Sequence, residues 1–178
     1  MAGNNNLENY LNSWGAEVVR NAKINLQSGG KGGGELENSI KFKVTASRSR
    51  FKIQFLMADY GTFQDKGVKG AGGEIKSGDH KGTWGGRRYY TTWEGKRKDS
   101  NFKFGNGKSS GSIYKGIESF VQKKGLPKGM VHPIVKVLWI KGMHGISFYQ
   151  KSLQLGMKTF NKGVIDSLVK DIKNSLKK

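Results

Sequence analysis

Residues 51–70 read FKIQFLMADYGTFQDKGVKG, and the rest of the chain is laid out around them. Phe51, Ile53, Phe55 and Met57 fall at every second position, the pattern of a strand with one face on a core. The strand then breaks. Tyr60-Gly61-Thr62 and Lys66-Gly67 supply sharp turns, because glycine carries no Cβ and tolerates positive φ. Phe63 and Asp65 project from the short segment between the turns. A strand that ends in a small-residue turn beside an acid suits an active-site edge, and it equally suits a corner where another subunit docks.

Upstream, Ile40, Phe42 and Val44 alternate with lysines and Thr45, which predicts a first strand, and Ser47 to Arg50 turns the chain back. The two strands are expected to pair as an antiparallel hairpin. Leu7, Tyr10, Leu11, Trp14, Val18, Val19 and Ala22 recur at three and four, one face of an amphipathic helix ending near Leu26 and suited to cover that hairpin. Asn5 or Asn6 suits its N-cap, and Glu8 in the first turn suits its dipole. Ser28 to Gly34, SGGKGGG, reads as a flexible joint.

Downstream, from Lys69 to Gly111, glycine recurs and cations interleave with aromatics: Lys81, Arg87, Arg88, Tyr89, Tyr90, Trp93, Lys96, Arg97 and Lys98. Such a loop can track a nucleic-acid backbone, with charge on phosphates and rings on bases. It can equally be a long hairpin whose tip is ordered by a neighbouring subunit; Tyr89 to Trp93 has the residues of a strand. Either way it reads as an interaction arm, since loops of this length tend to be functional or disordered.

A helix is expected from Ser112, with Ile117, Phe120 and Val121 on one face and a stop at Gly125. Residues Ile134 to Ile140 read as helix, although a buried strand has the same apolar look, and Gly142 and Gly145 end it. From Ser147 on, Phe148, Leu153, Phe160, Val164, Ile165, Leu168, Val169, Ile172 and Leu176 keep helical spacing, with possible breaks at Gly156 and Gly163. This helix is expected to pack across the sheet rather than lie on a membrane. The sum is an α+β fold in a single domain, 1–178. A small antiparallel sheet is packed by N-terminal and C-terminal amphipathic helices, and the Gly-rich basic loop 69–111 is inserted in it.

Composition narrows the function classes. Lys+Arg 32 against Asp+Glu 13 gives a formal charge of +19, which attracts polyanions. The chain has no cysteine, so thiolate catalysis, disulfides and Cys-based zinc sites are excluded. MAGNNNLENY has neither a basic nor an apolar leader region, so no signal peptide is expected, and no apolar run reaches the ~20 residues of a membrane span. His80, His132 and His144 are too scattered for a metal site. Asp59, Asp65, Glu74 and Asp79 are the clustered acids; two of them could hold a magnesium ion for phosphodiester cleavage, but their spacing fits no nuclease pattern. No phosphate-loop ending and no nucleophile elbow is present. The expectation is a protein that is not an enzyme and holds no metal or cofactor.

The order of elements carries a further signal. An N-terminal amphipathic helix, LENSIKFKV, the strand running into MADYGTFQDKGVKG, SIYKGIESFVQKKGL, then GISFYQKSL and a lysine-rich last helix together resemble one family. It is the tail-completion and head-tail connector (neck) protein family of tailed bacteriophages, the group similar to lambda minor tail protein Z. Tyr60, Phe63, Asp65 and Gly67 stand where that family has a tyrosine, an aromatic or valine, an acid and a glycine after its hairpin. Lys124-Gly125-Leu126 matches its Lys-Gly-aliphatic turn, and Phe148 or Tyr149 its aromatic before the last helix. The 69–111 loop is longer than the family's, and the Pro133 to Lys141 segment is additional to its pattern. The resemblance implies a structural virion protein, made in the bacterial host cytoplasm, that forms a homo-oligomeric ring at the neck around the DNA path. Tyr60, Gly61, Phe63, Asp65 and Gly67 would shape a corner that docks a neighbour, and the loop cations would reach genomic DNA without sequence preference, or the portal or an adjacent connector or tail protein. The competing classes are a free basic nucleic-acid-binding protein and a metal-dependent nuclease using Asp59 and Asp65.

Overall fold

A computed structural model describes residues 5–47, 50–104 and 111–177. In chain order its elements are α1 (Asn5–Ser28), α2 (Glu35–Ser39), β1 (Lys41–Ser47), β2 (Arg50–Leu56), α3 (Gly61–Lys66), β3 (Val68–Lys69), β4 (Gly73–Ile75) and β5 (Gly82–Trp84). They continue with β6 (Tyr89–Thr91), β7 (Arg97–Asp99), α4 (Gly111–Lys123), α5 (Val131–Lys141), β8 (Gly142–Met143) and α6 (Phe148–Leu176), and a 3-10 turn occupies Lys128–Met130. The fold is α+β, and among the described residues every sheet is a two-stranded ladder. The chain divides into two compact units. The first takes the described residues up to Gly61, Thr91–Lys96 and those from Ser147 on; the second takes Thr62–Tyr90 and Arg97–Ile146.

The first unit is built on the predicted hairpin. β1 and β2 pair antiparallel from Lys41↔Leu56 to Ser47↔Arg50, with Phe51, Ile53 and Phe55 on the inner face as their alternation requires. Residues 48–49 of the expected turn lie outside the described residues. On α1, Leu7, Leu11, Trp14, Val18, Ala22 and Leu26 are all buried, one residue in every three or four. Full burial of a Leu or Val contributes about 1.5–3 kcal/mol, so this stripe dominates the unit's stability. Trp14 sits at its middle, edge-on to Phe55 at 5.9 Å and tilted against Phe160 at 4.7 Å, with its indole Nε1 donating to the Gly156 carbonyl at 2.9 Å.

Two expectations for the last helix change. It packs mainly along α1, meeting the hairpin through Tyr149 and Phe55 at 5.5 Å, instead of across the sheet. It is also continuous through Gly156 and Gly163. The glycines are contact points: a Cβ at Gly156 would fall 2.8 Å from the Val18 Cγ2 and 3.1 Å from the Trp14 Nε1, and one at Gly163 would strike the Tyr10 ring. The start of α1 also differs. Asn6 lies inside the helix, and the side chain of Asn5 is outside the described residues. Asp171 of α6 does the capping: its carboxylate accepts from Asn6 N at 3.0 Å, Leu7 N at 3.1 Å and the Asn6 amide at 2.8 Å.

The second unit gathers around the glycine-rich segment after α3. β3 pairs with β8 through Val68↔Met143 and Lys69↔Gly142. Lys69 also bonds Phe102 and Phe104, and Gly70 N donates to Gly86 O at 2.8 Å. Ala71 N and Gly72 N then donate to Trp139 O and Ile140 O, satisfying carbonyls that the end of α5 would otherwise leave open. Gly67 makes this close approach possible: its φ of +74° lies in the left-handed region, and a Cβ there would stand 2.6 Å from Gly145 N and Met143 O. The predicted 134–140 segment is helical, as α5. α4 ends as its sequence predicts, with Gly125 N bonded to Gln122 O and Leu126 N to Val121 O.

Candidate functional site

The corner singled out in the sequence has interior and exposed parts. In the first unit, Gly61 is buried beneath Met57 and Leu36, while the Tyr60 ring stays open to solvent. Burial and the Glu35 carboxylate raise the Tyr60 hydroxyl above its ordinary pKa, against a hydrogen bond with the Leu36 backbone. In the second unit, Asp65 is 2% exposed, so its carboxylate serves the interior rather than a surface. Phe63 packs edge-on to Phe102 at 4.7 Å and remains 40% exposed. Ser100, fully buried, fixes this geometry: its hydroxyl donates to Gly67 O at 2.6 Å and accepts from Phe102 N at 3.1 Å. No pattern in the sequence marks Ser100, because its role rests on contacts with residues distant along the chain.

The described part of the 69–111 stretch is folded into short ladders; residues 105–110 lie outside the described residues. In the second unit, β4 pairs with β5 from Gly73↔Trp84 to Ile75↔Gly82, and β6 with β7. Its rings are largely engaged. The Arg97 guanidinium lies 3.9 Å over Tyr89, Lys66 Nζ stands 5.7 Å from the Tyr90 centroid, and Tyr90 itself is buried. Lys141 Nζ sits 3.5 Å over the Trp84 ring and 3.0 Å from His80 Nδ1. Lys81, Arg87, Arg97 and Lys98 are exposed. In the first unit, Trp93 is 40% exposed and its backbone N donates to Gln150 Oε1 at 3.1 Å, while Thr91 N donates to Ser147 Oγ at 2.9 Å. Lys96, exposed at the same turn, pairs with Glu94 at 3.3 Å.

Arg88 stands apart from the other loop cations. Its Nε is buried without a hydrogen-bond partner among the described residues, one terminal nitrogen donates to Arg87 O at 2.7 Å, and burial lowers its guanidinium pKa. Desolvation pushes His144 below the ordinary imidazole value, and the Arg88 charge adds to this. Among the described residues no group of three or more His, Asp or Glu could hold a metal ion, and no helix is long and apolar enough to cross a membrane. Neither a protein-family model nor a curated protein nor a solved structure matches this chain.

Proposed function

We propose that the chain is a structural virion protein of a tailed bacteriophage, a head-tail connector or tail-completion protein that assembles as a ring at the neck around the DNA path. The observation that carries this reading is the amount of large apolar surface left open in each unit. Leu155, Ile165, Val169, Ile172 and Leu176 are exposed in the first, and Phe63, Phe120, Leu126 and Met130 in the second. Ile165, Val169, Ile172 and Leu176 share one side of α6, and exposed apolar patches mark contact surfaces in proteins that work in assemblies. The element order and the Tyr60 to Gly67 corner, which resemble the neck family, direct the assembly to that place. The formal charge of +19 suits a lumen filled with DNA or acidic neighbours.

The alternative is a free nucleic-acid binder gripping a strand with the 69–111 cations. Tyr89, Tyr90 and Trp84 already have cation partners within the chain, which leaves Trp93 as the exposed loop ring for stacking on a base and weakens that alternative. Electron microscopy with mass determination on purified virus particles tests the neck reading. The expected outcome is this chain in fixed copy number, as a ring at the capsid-tail junction. Its absence from particles, together with a monomer that binds duplex DNA with a log K against log salt slope near −0.9 per phosphate contacted, would replace the ring with the free binder.

A further inference from the structure

α6 has two apolar faces. One lies on α1 through Gly156, Phe160, Gly163, Ser167 and Asp171. The other is a stripe of Ile165, Leu168, Val169, Ile172 and Leu176, spaced by three and four residues and 37% to 82% exposed. At 100° per residue these five side chains span one side of the helix. Leu168 also lines a groove of about 620 Å³ within the first unit, walled by Leu7, Leu11, Phe51, Ile53 and Val164. Leu168 is thus the point at which the stripe borders a concave apolar slot. Along its opposite flank the helical spacing sets Lys162, Lys170, Lys173 and Lys177, all exposed, with Asp166 as the single acid among them.

We propose that this stripe and groove bind an amphipathic helix of another protein, one that sets apolar side chains into the groove and carries acidic residues along the edge facing the lysine row. The charge pattern selects this occupant over a second copy. An isologous antiparallel pair of α6 would bring the lysine row against itself, in a chain already at +19. The concavity selects it over an anionic membrane, since a slot walled by Leu7, Leu11, Phe51 and Ile53 receives protruding side chains and a lipid surface offers none. The aliphatic stripe has no affinity for phosphate, so nucleic acid does not account for it. The inference shares the exposed α6 residues with the neck reading and assigns them to a heterologous contact with another protein; ring formation, which electron microscopy of particles reads, can fail without it.

The test is a display library of 18-residue helical peptides in which flank positions vary among Glu, Gln and Lys, selected on the full chain and on its Ile165→Ser/Ile172→Ser variant. Both substitutions are at exposed positions and leave the charge unchanged, so the variant keeps any general attraction for acidic peptides. The expected result is enrichment of peptides with Leu, Ile or Phe at i, i+3 or i+4 and i+7 and Glu on one flank, binding the variant at least tenfold more weakly. A Lys162→Glu/Lys173→Glu variant should shift enrichment toward Lys-flanked peptides. Selected peptides that bind the Ser variant equally well, or that lack the apolar spacing, overturn the proposal. So does a monomer-dimer equilibrium abolished by Ile172→Ser, or binding to phosphatidylglycerol vesicles that the Ser variant loses while no peptide is enriched.

Discussion

Asp171 does for α1, from 165 residues away, what a local cap residue usually does. Burial alone would push its carboxyl up, but the hydrogen bonds from Leu7 N, Asn6 N and the Asn6 amide outweigh that, and its pKa lies below the ordinary carboxylate value. A carboxyl depressed in the folded state adds stability that is fully present above its unfolded pKa of about 3.9 and is lost as pH falls through the folded value. Asp171→Ala should therefore cost about 0.5–2 kcal/mol at pH 7, the range of a lost N-cap. Its unfolding midpoint should also fall less steeply than wild type as pH drops below about 4. Parallel acid limbs for the two proteins in thermal melts would show that Asp171 is not the linked group. Gly156 sets two effects against each other. Alanine favours the helix by about 1 kcal/mol over glycine, but its Cβ would press on Val18 and the Trp14 indole, and overpacking costs about 1–3 kcal/mol. Gly156→Ala is expected to be destabilising on balance, and Val18→Ala should cost less in the Gly156→Ala background than alone; a stabilised single variant would mean the interface yields.

At the scale of elements, the parts readable in the sequence are those whose partners are periodic. The β1–β2 register follows from the alternation of Phe51, Ile53 and Phe55, and the α1 stripe from the three-four spacing through Trp14. The glycine-rich stretch after Gly67 was opaque because its order comes from backbone hydrogen bonds to Trp139, Ile140, Gly86 and Phe102, which leave no side-chain pattern. The same limit explains why Tyr60 and Phe63 stand out in the corner while Ser100 does not. It also explains why Gly156 and Gly163 read as breaks: a glycine packed under a ring and a glycine ending a helix look alike in one dimension. Local stability should divide along these lines. α1 and α6 share a long buried seam, whereas β4–β5 is a three-residue ladder in which Ile75 alone is buried. Hydrogen exchange is expected to be slowest in the middle of α1 and α6 and orders of magnitude faster in β4 and β5; equal protection would contradict this division.

For the whole molecule, charge is the dominant unbalanced quantity. The ion pairs of Lys69 with Asp99 at 3.8 Å and of Lys96 with Glu94 at 3.3 Å are open to solvent and of small worth. With Lys+Arg 32 against Asp+Glu 13, the cations far outnumber the acids that could pair with them, and the excess of +19 repels itself. Raising sodium chloride from about 50 mM to about 500 mM shortens the screening length severalfold and should raise the unfolding midpoint by a few degrees. An unchanged or lower midpoint would mean that attractive surface pairs matter more than the excess. The contact between Asn6 and Asp171 also sets a timetable. A ribosome adds about 5–20 residues per second, so the carboxylate that caps α1 is made roughly 8–30 s after Asn6. Until α6 has been made, the nascent chain carries Leu7, Leu11, Trp14 and Val18 with only the β1–β2 hairpin to cover them, which makes this segment the natural substrate for a chaperone during synthesis.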